Sequence, residues 1–378
     1  MEHSLLREIN RKTMDAYLAE RNYGVDLYFP TFFPFKSTPF LSYETLVGSK
    51  GRPVAADVVA YDTSAPLKTR KVLSKLTGDI PPIRMKKKMS EVDLNLYNIL
   101  SAMATPDQAA LMDLVFNDVD AAVEGCLARL EWLCLQALSA GTISLTKSNN
   151  NGVVTETSID FQMAAANKRK IASATATRVW NNGTTSNYLP ITDIRVINNV
   201  AKTAGIKLKY MLMNYSKWTE FAVADEVKQT CHPFMGTGIV SAPTKNPMTT
   251  VAAANAGLRA QGLPEIIVID TYITVETEEH AQTTADPWLA SGADKYVTFI
   301  PDLQLGNVMS GPIAEETNPP KQATQSKLGE ILVTKFSTVD PTNEFTKGEV
   351  NAFPSWPTID DCYRFDTEAT PEADGLDN

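Results

Sequence analysis

The chain has 378 residues, of which 43% are hydrophobic and 21% are charged, and its formal net charge at pH 7 is −9. This composition is typical of a globular protein with enough apolar residues to form a core. The net negative charge excludes the overall basic surface that is typical of nucleic-acid-binding proteins. No run of about 18 apolar residues occurs, so we expect no membrane-spanning helix.

The cysteines and the first residues bear on where the protein is made. Of the four cysteines, only Cys126 and Cys134 are close in sequence. Eight residues along a helix would separate them by about 12 Å, which is too far for a disulfide. The first ten residues, MEHSLLREIN, lack the basic segment followed by an apolar segment that a signal peptide contains. We therefore expect reduced, buried thiols and synthesis in a reducing cytoplasm.

The N-terminal region is predicted to be an arm. Residues 1–20 have the apolar spacing of a short amphipathic helix. The sequence YFPTFFPF, residues 28–35, contains two prolines, which predict an extended segment without a helix. Its rings either pack under the long helix of the same subunit or partly cover a neighbouring subunit. The rings are those of Tyr28, Phe29, Phe32, Phe33 and Phe35.

A basic segment follows the arm. Residues 50–88 contain ten Lys or Arg and three Asp or Glu, a net charge of +7, so the remainder of the chain carries −16. Strand-like runs interrupted by glycine and proline predict an extended loop here. The loop either holds phosphate or meets an acidic surface on another copy of the chain, and the acidity of the remainder favours the second. Its candidate contact residues are Lys68, Arg70, Lys71, Lys75, Arg84, Lys86, Lys87 and Lys88.

The strongest helix signal comes next, after a shorter helix predicted over residues 91–104. TPDQ, at residues 105–108, has the form of a capping box with proline at the first helical position. Apolar residues then recur at spacings of three and four up to Gly141, which predicts one helix of about 34 residues, or about 50 Å. Its core face is predicted to contain Met112, Val115, Val119, Cys126, Leu130 and Leu133.

The second half of the chain alternates between predicted strands and helices. TISLTKSNNNGVVTETSIDFQM, residues 142–163, has two β-branched runs around a turn and predicts a β-hairpin. An acidic polar tail ends the sequence. Helices are predicted over 191–205, 215–229 and 249–262, and single strands over 206–214, 265–276, 295–308, 329–339 and 358–366.

Candidate catalytic and metal-binding residues are sparse. The three histidines, His3, His232 and His280, have no second histidine or cysteine at metal-ligand spacing. The sequence contains neither a phosphate-binding P-loop nor a nucleophile elbow. We therefore predict no metal, no cofactor and no catalytic residues.

The order of these parts resembles the Hong Kong 97 fold of tailed-phage major capsid proteins, and local sequence narrows the resemblance to the lambda E-type family. FPFKSTPFLSYETLVG, residues 33–48, resembles that family's aromatic-Pro-Phe pattern before a short strand. VTFIPDLQLGNV, residues 297–308, resembles its axial-domain strand. The hairpin over 142–161 stands where the family places one, whereas the segments after Gly311 and after about Asp366 depart from the family.

The resemblance implies an α+β protein with an N-terminal arm, an extended β-hairpin loop, a peripheral domain with a long spine helix and a β-sheet, and an axial α/β domain. The expected boundaries are 1–40 for the arm, 41–90 for the basic extended loop, 91–163 for the spine helix and hairpin, 164–325 for the axial domain, and 326–378 for returning peripheral strands and the acidic tail.

The same resemblance implies a function. The expected protein is a major capsid protein that assembles through hexamers and pentamers into an icosahedral head around double-stranded DNA, which it binds without sequence specificity. Because the extended loop begins only some 40 residues into the chain, a separate scaffolding protein is expected. The presence of a decoration protein stays open. The expected location is the virion capsid, after synthesis in the cytoplasm of a bacterial host.

Two alternatives from other classes stay open at this point. One is an encapsulin-like nanocompartment, a related shell that stores cargo enzymes instead of DNA. The other is a cytosolic α/β enzyme that uses residues 164–325 as its catalytic domain. The lack of a nucleophile, base or metal constellation in the sequence stands against the enzyme.

Overall fold

The fold comes from a computed structural model. It describes residues 10–24, 26–48, 74–102, 108–146, 149–150, 157–170, 180, 189–231, 249–276, 281–288, 295–320, 323–340 and 342–368.

Helices and strands both contribute to the part of the chain that the structure describes. The helices are α1 (Arg11–Glu20), α2 (Phe29–Phe32), α3 (Glu91–Ser101), α4 (Gln108–Ala140), α5 (Pro190–Ala204), α6 (Tyr215–Val223), α7 (Asp225–Cys231), α8 (Val251–Ala260) and α9 (Ala314–Thr317). The strands are β1 (Phe35–Ser37), β2 (Ser42–Val47), β3 (Ser74–Asp79), β4 (Pro82–Met89), β5 (Thr142–Leu145), β6 (Thr157–Asp160), β7 (Lys168–Lys170), β8 (Tyr210–Asn214), β9 (Glu265–Ile269), β10 (Ile273–Glu276), β11 (Gln282–Ala285), β12 (Tyr296–Ile300), β13 (Asn307–Ser310), β14 (Ala323–Leu328), β15 (Ile331–Val339), β16 (Thr342–Ser355) and β17 (Tyr363–Asp366).

Local sequence explains where several helices begin and end. Asn10 and Thr13 form a reciprocal capping box at the start of α1, with both side-chain to backbone distances at 3.0 Å. Helix α4 ends before Gly141, and α5 ends before Gly205. These glycines have φ angles of 68° and 83°, a left-handed conformation that a side chain disfavours and glycine permits.

The chain folds as two compact units, each built from several separate stretches of sequence. The first unit consists of Met1–Glu44, Thr77–Cys134 and Asn307–Ser355. The second unit consists of Thr45–Leu76, Leu135–Gly306 and Trp356–Asn378.

A six-stranded sheet forms the body of the first unit. Its strand order is β1-β13-β16-β15-β14, and β4 also pairs with β16. Strand β16 pairs with β15 over residues 342–349 and with β4 over residues 344–351, both antiparallel. Strand β4 therefore lies on the opposite side of β16 from β15.

Helix α4 packs directly on this sheet. A Cβ atom on Gly348 of β16 would overlap the carbonyl oxygen of Ala122, and one on Gly125 would overlap the Sδ of Met85. Glycine at positions 348 and 125 thus lets the helix approach β16 and β4 closely. We call α4 the spine helix.

A five-stranded sheet with helices α5–α8 forms most of the second unit. Its strand order is β7-β17-β12-β8-β9, with parallel pairs at β7–β17 and β8–β9 and antiparallel pairs around β12. The core between the sheet and the helices includes the buried rings of Trp180, Phe221, Phe299 and Phe365.

The last turn of the spine helix belongs to the second unit, where side chains of the sheet bind its carbonyl groups. The Thr298 hydroxyl donates to the Leu138 carbonyl oxygen at 2.7 Å, and the Arg364 guanidinium donates to that of Ala140. The guanidinium also lies 4.4 Å from the ring centroid of Tyr296. These groups satisfy carbonyls that the end of a helix leaves unpaired, and the positive charge suits the helix C-terminus.

Most predicted elements are confirmed. The long helix, the hairpin of β5 and β6, and the helices that end near Gly205 and Gly262 all occur. The first nine residues and residues 105–107, which hold most of the TPDQ motif, lie outside the described part of the chain.

Several of the secondary-structure predictions are wrong. The prolines of residues 28–35 do not prevent a helix, because Phe29–Phe32 forms one turn with Pro30 in its first positions, where the missing N–H costs nothing. The helix predicted over 215–229 is two helices, because Ala224 is extended with ψ at 135°. The single strands predicted over 265–276 and 295–308 are each two strands, and β12 ends just before Pro301.

Candidate assembly surfaces

The arm is held on the spine helix by a buried carboxylate. The side chain of Glu131 accepts hydrogen bonds from the backbone N–H groups of Tyr28 at 3.0 Å and Phe29 at 2.8 Å. These N–H groups stand at the start of α2, where a helix leaves its donors unpaired and favours negative charge. Glu131 therefore fixes the point at which the aromatic segment meets the helix.

The aromatic rings of the arm have two different environments. Phe29, Phe32 and Phe33 are buried within the chain itself. Tyr28 is half-buried, and Phe35 is 37% exposed with its ring edge-on to Phe29 at 5.7 Å between centroids. The subunit thus covers three of the five rings, and a contact with a neighbouring subunit stays a prediction for Tyr28 and Phe35.

The charge of Glu131 has unusual surroundings. Burial raises the pKa of its carboxyl group, while the hydrogen bonds from the Tyr28 and Phe29 N–H groups act in the opposite direction. Among the described residues it forms no ion pair. A carboxylate that is buried without a cation is costly, so the two N–H groups carry its stabilisation.

A second polar cluster holds α1 against the spine helix. The hydroxyl groups of Tyr17 and Tyr23 donate to the two oxygens of Asp120 at 2.7 and 2.5 Å, and Arg21 lies 3.2 Å from the same carboxylate. Burial and then the bond to Asp120 raise the pKa of Tyr23. The ring of Tyr17 also stacks on Phe116 at 4.1 Å.

Part of the basic segment lies in the sheet. Arg84 forms an ion pair with the buried Glu349 at 2.6 Å, and Lys347 binds the other oxygen of Glu349 at 2.8 Å. Lys347 also pairs with Glu315 of α9. Burial raises the pKa of Glu349, but the hydrogen bonds from Lys347 and Arg84 together hold it below its ordinary value. Arg84 is therefore bonded inside its own subunit.

The three consecutive lysines of β4 face solvent. Lys86 stands over the ring of Phe345, 4.8 Å from its centroid, and Lys87 and Lys88 are exposed. Strand β4 pairs only with β16 among the described strands, so its other edge is open there. Lysines on an open edge discourage indiscriminate strand pairing, and they leave a positive surface for an acidic partner.

Four basic candidates remain. Lys68, Arg70 and Lys71 lie outside the described residues, and so does the side chain of Lys75, although its backbone belongs to β3. Their role in a contact between subunits stays a prediction, as it does for the lysines of β4.

Four predicted core residues of the spine helix are buried: Val119, Cys126, Leu130 and Leu133. The side chains of Met112 and Val115 lie outside the described part of the chain. The sheet that this helix covers also contains a buried lysine that the sequence reasoning missed. Burial lowers the pKa of Lys335 to about 8, against the opposing influence of Glu344 and Asp118.

The second unit also contains a buried charged cluster that the sequence reasoning missed. The ammonium group of Lys217 is fully buried and binds Glu220 at 2.5 Å and Glu368 at 2.9 Å. It also lies 3.5 Å from the carbonyl oxygen of Trp180, whose indole N–H donates to Asp193 at 3.0 Å. These contacts fix the last described residues of the chain to the core of this unit.

Within the described ranges, no group of three or more His, Cys, Asp or Glu side chains is arranged to hold a metal ion. None of the helices there combines the length and apolarity that a membrane crossing requires. All four thiols are buried, and burial raises the pKa of Cys231 to about 11 and that of Cys126, with a smaller contribution from Glu349, to about 12.

Comparison with solved structures supports a capsid-like fold. A structure described as a prophage capsid protein from E. coli CFT073 matches with a TM-score of 0.55 and 16% identity, over 95% of this chain and 99% of that one. A phage-related protein from Bordetella bronchiseptica RB50 matches with a TM-score of 0.53 and 12% identity, over 97% of this chain and 100% of that one. No curated protein matches the sequence.

The fold is thus that of phage capsid proteins, which confirms the predicted fold class. At the sequence level, the family model described as phage major capsid protein E matches residues 26–367. The chain belongs to this family, and it is a component of the phage capsid.

Proposed function

We propose that the chain builds a closed icosahedral phage head from hexamers and pentamers of itself, and that the head encloses double-stranded DNA. The observation that carries this proposal is the match of the capsid family to residues 26–367, nearly the whole chain. In the proposed role the protein acts through contacts between copies. It performs no catalysis and needs no cofactor.

The proposed assembly depends on contacts between different surfaces of adjacent copies, because such head-to-tail contacts close into rings. Lys86, Lys87 and Lys88 supply one such surface, on the open edge of β4. The chain as a whole carries −9, so a neighbouring copy offers acidic surface to these lysines. Complementary charge of this kind sets the register of a contact more than its affinity.

The net negative charge also suits a container for DNA. A wall that bound the phosphate backbone tightly would hinder packing, whereas weak repulsion lets the polymer slide. We expect emptied shells to show no strong binding of duplex DNA at physiological salt in a filter-binding or electrophoretic assay. Strong binding would contradict this part of the proposal.

Other partners follow from the same role. We propose that a separate scaffolding protein directs assembly, that synthesis occurs in the cytoplasm of a bacterial host, and that mature particles contain the protein in the head. A decoration protein on the outside of the lattice is compatible with this role.

Electron microscopy of the expressed chain, with and without a candidate scaffold, tests the proposal. We expect uniform closed shells or capsomers. A chain that stays at the mass of a monomer, 41.4 kDa, by light scattering under every assembly condition would contradict it. Small uniform shells that contain protein cargo would favour a nanocompartment instead.

The lysines of β4 provide a residue-level test. Replacing Lys86, Lys87 and Lys88 together with glutamate should leave soluble, folded capsomers and block closed shells. The matched control replaces the same three residues with arginine, which keeps both the charge and the cation–π contact with Phe345. Normal shells from the glutamate variant would exclude a docking role for these residues.

A further inference from the structure

A lysine is fully buried between the sheet of the first unit and the spine helix. Lys335, on β15, has a relative exposure of 0%. Lysine is rarely buried to this extent, because its ammonium group is strongly hydrated and its removal from water is costly. A buried lysine at this place has a consequence for how the helix is held on the sheet.

Strand pairing places Lys335 on the face of the sheet that the spine helix covers. Lys335 is opposite Thr346 of β16, and Gly348, two residues further along β16, lies against Ala122 of the helix. Residues two apart on a strand share one face, so Lys335 also faces the helix. Asp118 is one helical turn before Ala122 on the same side of the helix, and it acts on Lys335 electrostatically.

Four charged side chains belong to the elements around Lys335. They are Glu344 of β16, Asp118 of the spine helix, Asp15 of α1 and Lys87 of β4. Glu344 is 1% exposed, and it acts on Lys335 more strongly than Asp118 does. Asp15 accepts a hydrogen bond from the hydroxyl group of Ser326, and Lys87 is exposed to water. Two carboxylates thus favour the ammonium form of Lys335.

Burial outweighs these two carboxylates. It lowers the pKa of Lys335 from 10.5 to about 8, against the opposing influence of Glu344 and then Asp118. Folding therefore carries a cost while the side chain is protonated, and the cost disappears once the amine is neutral.

We propose that Lys335 is a proton-dependent switch beneath the spine helix, which is held more firmly on the sheet when the amine is neutral than when it is protonated. The arm is bonded to the same helix through Asp120 and Glu131, so a firmer helix also holds the arm more firmly. The switch belongs to the single subunit and is independent of assembly, so it goes beyond the proposed function.

Stability should rise with pH because the folded and unfolded chains bind the proton differently. Below about pH 8 Lys335 is protonated in both, and the cost of the buried charge is fully present. Between about pH 8 and 10.5 the unfolded chain keeps the proton and the folded chain releases it, so the free energy of unfolding increases. Above 10.5 both forms are neutral and the contribution is constant.

Urea unfolding of the dissociated subunit at pH 7 and at pH 9.5 tests the switch. The ratio of the unfolding constants of Lys335→Met and the wild type removes the contribution of every other titrating group. Because each pH unit inside the window changes the unfolding constant by about tenfold, the wild type should gain at least about tenfold on the variant between these two pH values. An equal pH dependence in the two proteins would overturn the switch.

Lys87→Met is the matched control. Lys87 is opposite Thr346 on β4 and shares the face of Lys335, but it is exposed. Its loss should alter the pH dependence much less, because water already solvates its ammonium group. If both variants alter the pH dependence equally, burial under the helix is not the cause and the proposal is wrong.

Labelling of a native thiol reports on the helix itself. Cys126 is 1% exposed on the spine helix, so a thiol reagent reaches it only when the helix moves away from the sheet. From pH 7 to pH 9.5 its labelling rate in the wild type should fall relative to Lys335→Met, whereas the same ratio for Cys231 of the second unit should stay constant. A constant ratio for Cys126 as well would show that Lys335 does not control the helix.

Nuclear magnetic resonance of chains with isotope-labelled lysine gives a readout that needs no unfolding. The Cε signal of Lys335 is the one that is missing from Lys335→Met or, where methionine prevents folding, from Lys335→Arg. It should titrate with a midpoint near pH 8. A midpoint near the ordinary value of 10.5 would overturn the proposal. All these measurements use the dissociated subunit, so their failure leaves the proposed function untouched.

Discussion

The aromatic arm and helix α3 place similar apolar side chains in opposite situations. In the arm, Phe29, Phe32 and Phe33 are covered by their own chain, and Glu131 of the spine helix holds the turn in place. In α3, Leu94 and Tyr97 are covered, but Val92, Leu96 and Ile99 on the other face remain exposed. The difference teaches that the conspicuous aromatic sequence is mainly internal structure, and that a less conspicuous helix carries exposed apolar side chains.

The largest effect should come from truncating a buried ring of the arm. We expect Phe33→Ala to lower the free energy of unfolding by about 3–5 kcal/mol, because it removes a large side chain from a packed site. Urea unfolding of the dissociated subunit measures this. Phe35→Ala, on the same arm but at a 37% exposed ring, is the control and should cost clearly less. Equal losses from the two variants would mean that the arm is not docked as described.

Removing the carboxylate that holds the arm should have the next largest effect. Glu131→Ala leaves the N–H groups of Tyr28 and Phe29 without their acceptor, which should lower the free energy of unfolding by about 1–3 kcal/mol. Glu124→Ala changes an exposed acid on the same helix and should have little effect. If both variants unfold at the same urea concentration, the carboxylate does not hold the arm.

The pH dependence of stability should separate two buried carboxylates. The raised pKa of Glu131 means that its protonated form stabilises the fold fully below its ordinary value of 4.5, and that this contribution is lost as pH rises through the folded pKa. For Glu349 the pKa is lowered, so its contribution is present above 4.5 and is lost as pH falls.

Unfolding of Glu131→Gln and Glu349→Gln over a pH series measures both contributions. The advantage of the wild type over Glu131→Gln should shrink as pH rises above 4.5, and its advantage over Glu349→Gln should shrink as pH falls below that value. Parallel pH profiles for the two variants would contradict the assignment of one buried carboxylate without a cation and one paired with Arg84 and Lys347.

A smaller effect is expected where α1 meets the spine helix. Tyr23→Phe removes the hydroxyl group that binds Asp120 and should cost about 0.5–1.5 kcal/mol. Tyr215→Phe, at an exposed tyrosine of the second unit, should leave the unfolding curve unchanged. A larger loss from Tyr215→Phe would show that hydroxyl deletion does not report on this cluster.

The smallest change in subunit stability should come from the exposed face of α3. Leu96→Ser should alter the free energy of unfolding of the isolated subunit by no more than about 0.5 kcal/mol, because the side chain is largely in water. A large loss of stability would mean that this face of α3 supports its own subunit.

The periodic spacing of apolar and β-branched residues was enough to predict the long helix and the hairpin from the sequence. The spacing of Val119, Cys126, Leu130 and Leu133 identifies the buried face of the spine helix, and Gly141 marks its end, since both signals are local. The hairpin of β5 and β6 follows from β-branched runs around an Asn-rich turn.

The sequence was less informative where contacts with distant residues determine the local structure. One helical turn forms at Phe29–Phe32 because Glu131, about a hundred residues away, satisfies its N–H groups. In the sequence, Glu131 is followed by a largely apolar stretch, and no local pattern indicates its partners. Arg84 looked like one more member of a basic cluster, and only the pairing of β4 with β16 brings it to Glu349.

Hydroxyl-radical footprinting of the dissociated subunit and of the assembled shell tests the contrast between arm and helix most directly, because it reports the exposure of individual side chains. We predict that Phe29, Phe32 and Phe33 resist labelling in both states, while Leu96 and Ile99 are labelled in the free subunit. Protection of the arm rings that appears only on assembly would contradict the account.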